Sequence, residues 1–119
     1  MATISEDYVS FETAKLLKEK GFDQNCATYY LDRQVWRHYH GEVIPKYKQI
    51  YAAPTQSMAM KWLREVHNWN IFINKSNTIY GYNANIESLV ANHIVEVGCE
   101  KTYEQACEVA IKYCLENLI

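Results

Sequence analysis

Four glycines and two prolines in 119 residues leave little material for a phosphate-cradling loop or a turn-rich all-β fold. Among the chemical motifs that are missing are G-x-x-x-x-G-K-[ST], G-x-S-x-G, H-E-x-x-H and an H-x-E with P-C-x-x-C. The four cysteines, Cys26, Cys99, Cys107 and Cys114, form no C-x-x-C pair. Cys107 and Cys114 lie two turns apart on a predicted helix, too far along its axis for a disulfide. They read as free, mostly buried thiols in a reducing compartment. No apolar run approaches the roughly 18 residues a membrane span needs. The opening residues 1–7 are acidic and polar, unlike a secretory signal. The expectation is therefore one domain, residues 1–119, in the cytoplasm, with no membrane partner and no cofactor.

What is present is ordinary globular composition: 49% hydrophobic, 22% charged and a formal charge of −2. Three helices are predicted. The first covers about Phe11–Lys20, capped by Ser10 and stopped at Gly21, with Phe22 folding back on Leu17. Phe11, Ala14 and Leu17 give its buried stripe. The second covers about Gln56–Asn68 behind Pro54-Thr55, with Met58, Trp62, Leu63 and Val66 on the inner face and Lys61, Arg64 and Glu65 opposite. The third covers about Tyr103–Leu118. It opens on a Thr102-x-x-Gln105 capping box, and Tyr103, Ala106, Cys107, Ala110, Ile111, Cys114 and Leu118 form a long stripe.

Strand-like material lies between the second and third helices. Trp69–Asn74 and Thr78–Glu87 alternate, joined by a turn at Lys75-Ser76-Asn77. Leu89–Val97 ends at Gly98 and is strand-like over Ile94–Val97. A further aromatic hairpin is plausible at Ala27–Leu31 and Val35–His40, and Ile44-Pro45 breaks any regular element after it. The expected fold is α+β: three helices with a small, three-stranded antiparallel sheet, and an α-β-β-β-α core in the C-terminal two thirds. Helices 2 and 3 share one face of that sheet, and the core includes Ile71, Ile73, Ile86, Val95, Trp62, Leu63, Val66, Ala106 and Ala110.

Charge is distributed unevenly. Residues 33–64 hold Arg33, Arg37, Lys46, Lys48, Lys61 and Arg64 against Glu42, a net of +5; residues 76–119 hold six glutamates against Lys101 and Lys112, a net of −4. The basic stretch is interleaved with Tyr29, Tyr30, Trp36 and Tyr39, a composition that suits a partner surface and also suits phosphates and stacked bases. The candidate binding residues are thus Tyr29, Tyr30, Arg33, Trp36, Arg37, Tyr39, Lys46, Lys48, Lys61 and Arg64. The competing reading is a solvated surface whose aromatics belong to the core. Basic and acidic ends could also meet head to tail in a homo-oligomer. His38 and His40 point the same way on a strand and are weak metal or enzyme candidates, lacking a third ligand in sequence.

The helix-strand order matches that of double-stranded-RNA-binding domains. That family grips phosphate with lysines at the start of the last helix. Here Thr102-Tyr103-Glu104-Gln105 stands in that place, which argues against RNA at that surface. A second resemblance rests on the segments Tyr8–Phe22, Tyr51–His67 and Thr102–Leu118. Together they resemble a family of small uncharacterised proteins encoded by phages and prophages of gut Bacteroidetes, including crAss-like phages. The resemblance implies a setting, an accessory protein in the bacterial host's cytoplasm, and carries over no functional residue. The leading expectation is a non-enzymatic binding module with a host or phage protein as partner. Nucleic-acid binding through the same segment, or a small enzyme or metal protein using His38 and His40, are the alternatives.

Overall fold

The computed structural model describes residues 4–31, 34–37 (backbone only), 50–77 and 81–119. The elements run α1 Phe11–Glu19, β1 Thr28–Leu31, β2 Gln34–Arg37, β3 Ile50–Ala52, α2 Gln56–His67, β4 Trp69–Lys75, β5 Tyr82–Ser88, β6 Ile94–Glu100 and α3 Tyr103–Asn117. The fold is α+β, with two antiparallel sheets ordered β2-β1-β3 and β4-β5-β6.

Local chemistry sets the helix ends. Ser10 accepts from the Thr13 amide, and both Schellman bonds close α1: Phe22 N donates to Leu17 O at 2.9 Å and Gly21 N to Lys18 O at 3.2 Å. Gly21 has φ +92°, which costs a side chain far more than glycine. Thr55 caps α2, and Asn68 ends it in the left-handed conformation with φ 61°. The Thr102–Gln105 capping box is complete in both directions.

One hydrophobic cluster joins the elements. The helix α3 packs on β4, β5, β6, α1 and α2. Its Ala106, Ala110, Ile111, Cys114 and Leu115 are fully buried. Small residues at Ala106, Ala110 and Cys114 let neighbouring backbones approach closely, while Ile111 and Leu115 fill the remaining space. From the sheet come Ile71, Ala84 and Ile86; from α2 come Ala59, Trp62 and Leu63; from α1 come Ala14 and Leu17. Ile73 and Val95 are half-buried.

The acidic character of α3 is partly spent inside the fold. Glu108, half-buried, accepts from Ser10 N at 3.2 Å, Ser10 Oγ at 3.0 Å, Gln56 Nε2 at 3.5 Å and the Thr13 hydroxyl. A carboxylate thus sits at the positive end of α1 and ties α3 to the starts of both other helices. The segment before α1 is strapped to the start of α2 by Val9 N to Pro54 O (3.0 Å) and Gln56 N to Asp7 O (2.9 Å).

Three expectations are corrected and one strand is added. Val66 is not core: it is 56% exposed, and Met58 is 42% exposed. Tyr103 opens the apolar stripe of α3 in sequence but is 46% exposed: at the first position of the helix it meets the sheet only edge-on, at Tyr82. The strand expected to end at Gly98 starts at Ile94 and continues to Glu100. It passes through a bulge in which Val97 is the extra residue between the Gly98–Ala84 and Glu96–Asn85 pairs. A three-residue strand, β3, adds to the aromatic hairpin by pairing Tyr51 with Tyr30, and nothing so short had a periodicity to reveal it.

Candidate partner-binding groove

One apolar row of α2 reaches the surface at Met58 and Val66, with buried Trp62 between them. Met58, Trp62 and Val66 are spaced i, i+4, i+8, next to the buried row Ala59–Leu63. The apolar stripe of α2 is therefore wider than the sheet and α3 can cover. The outer row forms the floor of an open groove of about 340 Å³, lined by Gln24, Met58, Lys61, Trp62, Glu65 and Val66.

Trp62 is held rigidly. Its ring meets Phe22 edge-on at 5.3 Å and His67 edge-on at 4.7 Å, and only 6% of the residue is exposed. Phe22 reaches it because the Schellman turn after α1 folds the chain back at Gly21. Beyond Phe22 the chain runs along α2 toward β1, and Gln24 supplies a wall of the groove. Met58 also borders a second depression of about 200 Å³, with Tyr8, Cys26, Thr28 and Pro54 around it. Met58 lines both concavities.

The rim carries one cation, Lys61, and one anion, Glu65. Such a surface has no net charge to hold a phosphate backbone. His67 Nε2 is buried without a hydrogen-bond partner among the described residues, and its ring lies edge-on to Trp62.

The residues proposed from sequence fall into separate places. Arg33, Tyr39, Lys46, Lys48 and the histidines His38 and His40 lie outside the described residues. Trp36 and Arg37 are in β2, their backbones paired with Tyr29 and Thr28. Tyr30 is structural: its hydroxyl donates to Val9 O at 2.8 Å and its ring meets Phe11 edge-on. Tyr51 meets the other side of this arrangement, edge-on to Phe11, with Lys18 Nζ 5.0 Å from its centroid. Tyr29, next along the strand, projects from the opposite face of that sheet and is half-buried. Lys61 and Arg64 belong to α2, which packs on β4 and α3 rather than on the β2-β1-β3 sheet. Among the described candidates, Lys61 lines the groove. Met58 and Val66 were missed as site residues because helical spacing alone assigned them to the core. The signal was available in the two adjacent apolar rows of α2, one more than a single neighbouring layer covers.

The thiols offer no activated nucleophile where a shift is resolved. Burial pushes Cys107 up to about 11, Cys114 up to about 12, and Cys26 above its ordinary value. All four cysteines are unpaired. Among the described residues no group of three His, Cys, Asp or Glu side chains could hold a metal ion, and no helix is long and apolar enough to cross a membrane. No protein-family profile, curated protein or solved structure matches the chain.

Proposed function

We propose that this chain is a protein-binding module that seats an apolar segment of a partner protein along α2. The observation that carries the reading is the pairing of exposed Met58 and Val66 on either side of an immobilised Trp62 in an open groove. A rigid aromatic flanked by an adaptable methionine is the composition of interface anchors, and desolvating such a row favours association. The rim sets the occupant's chemistry. Lys61 and Glu65 carry opposite charges one turn apart, which fits an amphipathic peptide segment with an acidic and a basic residue beside its apolar anchors. The phage resemblance supplies the setting in this proposal, an accessory protein acting on a host or phage protein in the bacterial cytoplasm.

The basic segment 33–64 supports a second reading, nucleic-acid binding, through its net charge of +5. One experiment separates the two. Tagged protein is used to capture partners from infected cells with and without nuclease, and the captured species is then tested against Val66→Asp and against a Lys15→Glu control. A protein that survives nuclease, and is lost with Val66→Asp but retained with the control, supports the groove. Capture that nuclease abolishes, or that Val66→Asp leaves intact, removes it.

A further inference from the structure

The β4-β5-β6 sheet has a second face. The helices α2 and α3 lie on the side bearing Ile71, Ile73, Ala84 and Ile86. Among the described elements, only these helices pack on that sheet. Strand register puts nine other residues on the opposite side, in three cross-strand rows: Asn70–Glu87–Ile94, Phe72–Asn85–Glu96 and Asn74–Asn83–Cys99. Four of the nine are asparagines, two are glutamates and none is Lys or Arg.

The face is organised. Asn85 is only 5% exposed, and its Nδ2 donates to Asn74 Oδ1 at 2.7 Å, with longer contacts to the Phe72 and Asn83 carbonyls. Asn70 Nδ2 donates to Glu87 Oε1 at 2.8 Å. With its nitrogen committed, Asn85 has Oδ1 as its acceptor for a ligand. Beside the bulge at Val97–Gly98 lies a depression of about 250 Å³ lined by Asn83, Ala84, Asn85, Glu96, Gly98 and Cys99. Phe72, half-buried, stands beside Asn85 on the neighbouring strand.

We infer that this face binds a neutral polyhydroxylated ligand, a saccharide. Asn83 can donate and accept, Asn85 Oδ1 and the Glu96 carboxylate accept from hydroxyls, and the Phe72 ring offers an apolar surface to the C–H face of a pyranose. Two carboxylates without a basic residue reject phosphates and other anions. So polar a floor gives little to an apolar segment. The depression is smaller than the roughly 300–1,000 Å³ of drug-sized sites, which suits one sugar unit at a time. This inference is independent of the α2 groove.

The test is a titration of the full chain, followed by the side-chain amide signals of its asparagines in nuclear magnetic resonance. The probes are methyl glycosides of glucose, galactose, mannose and N-acetylglucosamine, and their neutral linear oligomers. Saturable shifts centred on Asn83 and Asn85 are expected for at least one probe. Glu96→Gln, at an exposed position that need not disturb the fold, should weaken that probe by about tenfold, as loss of one charge-assisted hydrogen bond does, and Phe72→Leu should weaken it too. Val66→Asp should change nothing. Tighter binding by longer oligomers assigns a glycan chain, and equal binding assigns a single sugar. No saturable shift with any probe, shifts mapping elsewhere, or stronger shifts of the same amides with a hexalysine peptide would each overturn the inference.

Discussion

The helices α2 and α3 have similar lengths of apolar sequence but opposite surroundings. The helix α3 is enclosed by the sheet, α1 and α2, and its six buried residues leave no large apolar side chain exposed after Tyr103. The helix α2 is enclosed on one side only, and an entire i, i+4, i+8 row faces outward or lies just below the surface. The same pattern of spacing therefore serves stability in one helix and, in the function proposed above, recognition in the other. What separates them is the number of neighbouring layers, a property of the whole chain and not of either helix.

This contrast can be broken by substitution. Leu115→Ala in α3, at a fully buried position, should cost about 2–5 kcal/mol in denaturant unfolding. Val66→Ala in α2 should fall within about 0.5 kcal/mol of the parent. Equal losses at the two sites would mean that the outer row of α2 is core after all. Next in size is the tether. Glu108→Ala removes the shared acceptor of Ser10, Thr13 and Gln56 and should cost about 2–3 kcal/mol. Glu108→Gln, which retains one acceptor oxygen, should cost less.

Gly81→Ala should be destabilising by about 1–3 kcal/mol. A Cβ there would lie 2.5 Å from the Glu100 carbonyl oxygen, and φ is +152°. Gly21→Ala should be milder, since open space surrounds that position and only the backbone conformation opposes it.

A pH dependence probes the same enclosure of α3. In the unfolded chain Cys114 titrates near its ordinary 9.0, whereas burial holds its folded value at about 12. Above pH 9 the unfolded state releases its proton first, so stability falls as pH rises, between about 9 and 12. The difference between the pH–stability curves of the parent and Cys114→Ala should show this decline, with the parent falling more steeply. Parallel curves would indicate that the thiol is less enclosed than α3 implies.

Much of the architecture was legible from short-range chemistry. Ser10, Gly21, Thr55 and the Thr102–Gln105 pair locate the helix ends to within a residue, because caps are local hydrogen-bond arrangements. Alternation located β4 and most of β5. Other features depend on distant partners. Gly81 falls within the alternating segment Thr78–Glu87, but nothing local shows that the Glu100 backbone leaves no room for a side chain there. Glu108 looks like one more surface acid until α1 is placed against it. Tyr30 looks like part of a recognition surface beside basic residues, but its ring meets Phe11 edge-on, as does that of Tyr51. For the candidate site, Lys61 was legible as an exposed residue. Val66 was not, since nothing in its own sequence neighbourhood says that no layer covers it.

In the proposed function, Met58 and Val66 of α2 are surplus to folding and face a partner, while Trp62 between them belongs to the core. The direct measurement is the unfolding free energy of Met58→Asp/Val66→Asp, taken beside nuclease-resistant capture of the partner by the same variant. The account predicts stability within about 1 kcal/mol of the parent and loss of the captured protein. A variant that unfolds, or one that folds and still captures the partner, would contradict it.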